Sequence, residues 1–335
     1  MTSPPLSSDP LSPVASPDRL VGSLWRRVIA FILDSIFVGV LGTVIALPFF
    51  DILSRLGAWG RLVGFCIAIA YFGVLNSRIG NGQTIGKRLL HLQVVDASGA
   101  TISFSKALVR YAVLSAPFFL NGLALPLSRT PKPVLYLNGA IVFGLGAVTI
   151  YLILFNRSTR QGAHDLVVGS FVADVNRLGA LGTKPIWKWH WAFMCALGVL
   201  GLVGGNLLYH KLMKVADFPT LWEDVRLIEN IEHVQSAGVF DQTVWNSGKL
   251  KRRSYVVNVF WSCDERGEVP VALAEVALAN QVAAQILASD PQAKSRDQLQ
   301  IVMFRGYDLG IAHAVVRDQF VDSPSEWETK ISASQ

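Results

Sequence analysis

Residues 133–155 run for 23 positions without one charged side chain. At 1.5 Å per residue, a helix of that length is about 35 Å long, enough to cross the roughly 30 Å hydrocarbon core of a bilayer. Four more apolar runs accompany it. Residues 28–50 contain one charge, Asp34. Residues 62–75 form a short uncharged core that must draw on 57–60 and 76–77 to reach spanning length. Residues 107–127 are interrupted by Arg110, Pro117, Asn121 and Pro126. Residues 191–209 are uncharged and follow Trp187, Trp189 and Trp191, as an aromatic belt at a membrane surface would. The fold class predicted is a mainly α-helical transmembrane bundle of about five spans, followed by a small α+β domain. Composition agrees: charged residues make up 16% and hydrophobic ones 51%, against about 25% charge in a soluble domain.

The basic residues are distributed by loop. Arg26 and Arg27 precede the first run; Arg78, Lys87, Arg88 and Lys106 lie between the second and third; Arg157, Arg160, Arg177, Lys184 and Lys188 lie between the fourth and fifth. The opposite loops hold only Arg55, Arg61, Arg129 and Lys132. The positive-inside rule then sets the N-terminus in the cytoplasm and the C-terminal domain outside it, in an inner-membrane protein. That orientation requires residues 107–127 to cross fully. The net charge of +6 thus serves topology, and nucleic acid is not expected as a partner, because no aromatic–basic stacking surface is evident. Lys87 and Arg88 form a cytoplasmic basic loop suited to anionic headgroups of the lipid bilayer.

Residues 1–18, rich in Ser, Pro and Asp, read as a disordered tail with no signal peptide before the first span. Residues 20–175 make the membrane domain with four spans, 176–212 a linker and the fifth span, and 216–325 the soluble domain. In the last, residues 221–233 read as a helix, 254–261 as a strand, 271–289 as an Ala-rich helix stopped by Asp290-Pro291, and 299–304 and 311–320 as paired strands around a turn at 306–308. Helix on antiparallel sheet is the arrangement expected. Residues 89–95 and 101–104 read as a small interfacial hairpin around a turn at 96–99. Cys66, Cys195 and Cys263, an odd number without CxxC spacing, suggest neither a disulfide framework nor a metal site.

Asp34 is the costliest residue in the membrane. An ionisable side chain mid-span costs about 2.5–3.5 kcal/mol on insertion scales and must be paired or protonated. Arg27 shares its helix face two turns away, but helical side chains lean toward the N-terminus, so Arg27 leans away. Arg110 is the expected intramembrane partner. Two roles stay open for Asp34: packing glue, or the handling of a proton or ion.

Three blocks now stand out. Residues 24–34 (LWRRVIAFILD), 82–96 (GQTIGKRLLHLQVVD) and 156–169 (NRSTRQGAHDLVVG) together resemble the RDD family, named for one arginine and two aspartates, over about residues 20–175. Carried over, the family residues are Arg27, Asp34 and Asp165. Ala163 stands before the His164-Asp165 pair where typical members have a larger apolar residue. The resemblance implies a membrane protein, with ion or small-solute transport proposed for some members. It covers neither the fifth span nor the C-terminal domain.

Other readings are weaker. Gly82 and Gly86 before Lys87 lack the spacing of a phosphate loop. His164-Asp165 has no nucleophile beside it and reads as a turn or helix-cap contact. Gly201 and Gly205 make a GxxxG that permits close helix contact, hence a homo-oligomer. No catalytic constellation and no cofactor is expected. The alternative to transport is a non-catalytic scaffold or sensor whose outer domain binds a protein partner.

Overall fold

The computed structural model describes residues 19–123, 125, 130–178, 187–215, 217–246, 249–262 and 270–334. The tail expected at 1–18 and Cys263 lie outside the described residues. Along the chain, β1 (Arg19–Val21) leads into α1 (Leu24–Ala46), a short α2 (Phe50–Leu56) and α3 (Gly60–Leu75). Then come α4 (Ile85–Leu89), β2 (Leu92–Asp96) and α5 (Phe104–Asn121). Helix α6 (Lys132–Gly139) continues through a π-helical turn at Ala140–Leu145 into α7 (Gly146–Phe155). After α8 (Ala163–Val168), β3 (Ser170–Leu178) and α9 (Lys188–Leu212), the C-terminal part runs α10 (Phe218–Glu229), β4 (Val234–Asn246), β5 (Lys249–Trp261), α11 (Val271–Ser289), α12 (Pro291–Lys294), β6 (Gln298–Asp308), β7 (His313–Asp322) and α13 (Pro324–Ser334).

Four helical stretches among the described residues are long and apolar enough to cross a membrane. Leu24–Leu75 takes in α1 to α3 and, at 52 residues, has length for two crossings. Lys132–Phe155 and Lys188–Leu212 match the expected fourth and fifth runs. The remaining stretch is α11, which needs no membrane to explain it: Leu278, Val282, Ala283 and Ile286 are buried in the core of the sheet domain. Helix α5, on the expected third run, is only 18 residues long with Pro117 inside it, and it is not among the four.

The chain divides into two compact units. The first comprises residues 1–34, 69–114 and 149–191. Its sheet has the order β1-β3-β2, both pairs antiparallel. The interfacial hairpin expected at 89–104 is therefore corrected. Residues 85–89 are helical, β2 takes β3 as its partner from Leu92↔Asp174 to Asp96↔Ser170, and Thr101 contributes a single bridge to Val95. The physical reason is burial. Leu92, Val94 and Val95 are sealed from solvent, and Val172, on β3, completes the apolar cluster with Ala30, Ile102 and Ala107.

The second unit comprises residues 35–68, 115–148 and 192–335. Its four-stranded sheet has the order β4-β5-β6-β7. Pairing of β5 with β6 is parallel, so the all-antiparallel sheet is also corrected. A parallel pair needs a long crossover, and α11 supplies it, its apolar face lying on Tyr255, Val257, Ile301 and Met303. Trp327 of α13 closes the core, its Nε1 donating to the Leu299 carbonyl at 3.0 Å. Strand β4 was not foreseen. The last turn comes after Asp308 rather than at 306–308, because Gly306 is still within β6 while Gly310, at φ +74°, supplies the left-handed residue. Within this unit α9 meets the π turn. A Cβ on Gly201 would lie 2.4 Å from the Gly144 nitrogen, whereas one on Gly205 would meet nothing within 4 Å.

Candidate functional site

The three sequence blocks converge in the first unit on a buried polar cluster. Asp34 is completely buried on α1. Its Oδ1 accepts from Tyr71 Oη at 2.9 Å and from the Gly86 backbone nitrogen at 2.8 Å, and its Oδ2 accepts from Thr84 Oγ1 at 2.5 Å. The second block is built to deliver those donors. Thr84 is the N-cap of α4, and Gly86 lies so close to α1 that a Cβ there would sit 2.3 Å from the Ala30 carbonyl oxygen. Left-handed Gly82 carries the chain into this turn; a Cβ on it would come within 2.5 Å of the Val94 carbonyl. These glycines are packing requirements, which answers the phosphate-loop reading.

Arg110 does not pair with Asp34, as was expected. Its Nε donates to Asp165 Oδ1 at 2.8 Å and to Ser170 Oγ at 3.2 Å, and Ser170 Oγ donates to the same carboxylate oxygen at 2.8 Å. Asp34 needs no arginine because two hydroxyls and an amide already occupy it. Asp165 stands in the first turn of α8 and its Oδ2 also accepts from the Gly162 nitrogen at 3.4 Å. Burial works to raise its pKa, but Arg110 above all, then His164 and Arg27, hold the carboxyl well below its ordinary range. His164 Nε2 lies 3.3 Å from Asp165 Oδ2. Burial, aided by Arg110 and against the pull of Asp165, lowers the imidazole to about 4, so it is neutral at neutral pH.

Arg27 binds carbonyls: Nη1 donates to Arg160 at 2.6 Å and Nη2 to Val172 at 2.8 Å. Its buried Nε has no partner. Neighbouring Arg26 reaches Asp174 and the Leu90 carbonyl, tying α1 to β3. Lys87 is half-buried, with Nζ 3.4 Å from Thr84 Oγ1. Burial first and Arg110 second lower its ammonium to about 7, against the attraction of Asp34 and Asp165. Arg88 is exposed on the other side of α4 and donates to the Gly80 carbonyl at 3.4 Å.

The cluster thus joins Arg27, Asp34, Lys87, Arg110 and Asp165. Sequence reasoning missed Tyr71, Thr84 and Ser170. Thr84 and Ser170 lie in or beside the family blocks and could have been found as local donors; Tyr71 sits in an apolar run with nothing to mark it. The chemistry available is proton exchange and ion pairing, with one carboxylate locked by an arginine and one held by neutral donors. Residues 21–169 match the model of the RDD family. Comparison with curated proteins and with solved structures finds no match.

Proposed function

With residues 21–169 matching the RDD family model, we propose that the chain is a multi-pass inner-membrane protein that handles a small ion or solute through the Asp34–Lys87 corner of its polar cluster. One observation carries this reading: the buried Asp34 carboxylate is held by two hydroxyls and an amide, with Lys87 one hydroxyl away across Thr84. A carboxylate clamped by arginine is locked in the ionised state. Asp34 is instead held by neutral donors alone, and burial lowers the neighbouring Lys87 ammonium to about 7. In this reading five helices cross the membrane, the basic loops face the cytoplasm, the C-terminal domain lies outside, and the protein is not an enzyme.

The test is flux in vesicles reconstituted with purified protein. Asp34→Asn keeps a hydrogen-bonding group but cannot ionise; folded protein with lost flux is expected. Lys87→Met should remove the dependence of flux on pH around 7. Unchanged flux in folded Asp34→Asn protein would end the carrier role of this residue. A second reading, a scaffold or sensor, draws on the sheet face away from α11. There Phe260 and Phe304 stack at 4.8 Å and Phe240 is exposed, a surface suited to a protein partner.

A further inference from the structure

The turn between β6 and β7 ought to be a solvated loop, yet its tip is buried: Leu309 is 1% exposed and Ala312 9%. What covers it is a set of apolar helices in the same unit. On α1, a Cβ at Gly42 would lie 2.8 Å from Ile311 Cδ1 and 3.4 Å from Ala312 Cβ, and one at Gly39 would lie 3.2 Å from the Ile311 carbonyl oxygen. On α3, a Cβ at Gly64 would lie 1.8 Å from the Leu309 carbonyl oxygen and one at Gly60 3.0 Å from that of Asp308. From α5, the Phe119 ring comes within 2.9 Å of where a Cβ on Gly310 would be. Each glycine pair is spaced three or four residues apart, so each helix turns one bare strip of backbone toward the hairpin. Gly39 is seven residues short of Ala46, the end of α1, so the tip reaches about 10 Å along that helix.

The tip is also fastened. Arg61 of α3 donates through Nε to Asp308 Oδ2 at 2.8 Å and through Nη1 to the Phe118 carbonyl at 2.9 Å. Asp308 Oδ1 in turn accepts from the Gly310 nitrogen at 2.6 Å, and Leu309 N donates to the Ala312 carbonyl at 2.9 Å, which closes the turn. One arginine therefore joins α3, α5 and the hairpin.

We propose that residues 308–312 are a plug: they fill the gap between α1, α3 and α5, and through them the soluble domain governs access to the membrane helices. The inference rests on the ion-handling reading, since closure matters only where something passes, but its test needs no specific transport. A simple anchor would hold the domain in place without sealing anything, and leak separates the two.

The experiment uses the full chain with its three cysteines replaced by serine. Gly42→Cys with Ala312→Cys brings the two Cβ atoms to 3.4 Å, near the roughly 3.8 Å of a disulfide. Oxidation should cross-link the pair. Adding Gly64→Val should expel the hairpin and abolish the cross-link. In phosphatidylethanolamine–phosphatidylglycerol vesicles, passive potassium efflux should be low for the parent and at least ten-fold higher for Gly64→Val. If that variant does not fold, Leu309→Gly with Ile311→Gly trims the plug from the other side, under the same leak criterion. The plug is overturned if the parent pair does not cross-link, or if a folded variant lacking the plug leaks no more than the parent. A leak that follows the plug in a protein with no specific flux would remove the ion-handling reading alone.

Discussion

At the residue scale Asp34 and Asp165 have opposite surroundings. Asp165 faces Arg110 inside the fold, so removing one partner leaves the other buried and uncompensated. Arg110→Ala should cost about 3–5 kcal/mol, read as a fall in the thermal midpoint of the purified protein. Asp165→Asn should also destabilise, because it leaves the buried Arg110 charge without a carboxylate, although the amide oxygen still accepts from Arg110 Nε and Ser170. Asp34→Asn should leave stability nearly unchanged, since Tyr71 and Gly86 keep an acceptor and the Thr84 hydroxyl can rotate to accept. The C-terminal sheet domain holds a different carboxyl. Tyr255 Oη lies 2.5 Å from Asp224 Oδ2 and 2.8 Å from Asp290 Oδ2, and one phenolic proton cannot serve both. Burial first, and then the nearby Asp290, raise the Asp224 pKa against the hydrogen bonds from Tyr255 and Ser289. A carboxyl whose pKa is higher in the folded state favours folding below its unfolded pKa, and that contribution is lost as pH rises through the folded pKa. Asp224→Asn should therefore raise thermal stability at pH 8 relative to the parent and flatten the slope between pH 5 and 8. A steeper slope in the variant would show that another group controls it. Of these residues, Asp34 could be picked out in the sequence because a charge inside an apolar run demands an account, whereas Arg27 and Asp165 came from the resemblance of the three blocks to a family. Their partners could not, because which donor reaches a buried carboxylate depends on helices folding over one another.

Elements were legible wherever one periodicity ran unbroken. The uncharged run at 133–155 became α6 and α7, and the Ala-rich stretch at 271–289 became α11 with the same bounds. Strand pairing was not legible. Residues 92–96 alternate little and are buried on both faces, so nothing local says that their partner lies more than seventy residues away in Ser170–Leu178. Strand β4, VQSAGVFDQTVWN, carries Ser, Gly, Asp and Gln among its apolar residues, which conceals it. The GxxxG of α9 gives an element-scale prediction. Gly201 is in contact with Gly144 of the same chain, while a Cβ on Gly205 would meet nothing within 4 Å among the described residues, so the first glycine of the motif serves an internal helix contact. Gly201→Leu should reduce stability by about 1–3 kcal/mol through overpacking, while Gly205→Leu should be neutral. Equal loss from both in a thermal melt would show that contact with Gly144 is not what sets the two glycines apart.

For the whole molecule, the apolar core of the C-terminal sheet domain lies, among the described residues, within residues 221–331. A fragment covering 217–334 is expected to fold alone, giving a mixed helix–sheet circular dichroism spectrum and a cooperative melt. Ile286→Ala within it should cost about 2–5 kcal/mol. Its hairpin tip would nevertheless be bare, because Leu309 and Ala312 bury themselves beside Ala46 and Leu53, which the fragment lacks. The fragment should accordingly bind detergent or self-associate through that tip, and Leu309→Ser should reduce the association. A random-coil spectrum would contradict this picture of the domain.

The β1-β3-β2 sheet also imposes an order of events on synthesis. Strand β3 is the central strand, hydrogen-bonded to a segment made at residue 19 and to another made at residue 92, but it leaves the ribosome only after residue 170. Until then Arg26 has no Asp174, Arg27 has no Val172 carbonyl, and Arg110 has neither Asp165 nor Ser170. A nascent chain stopped before β3 would already hold its first apolar helices in the lipid while the loops between them hung loose, open to proteases and chaperones. Emergence of nine residues, Ser170–Leu178, would then stitch the loops shut at once, making the passage from inserted to folded a late and abrupt step in the life of each copy.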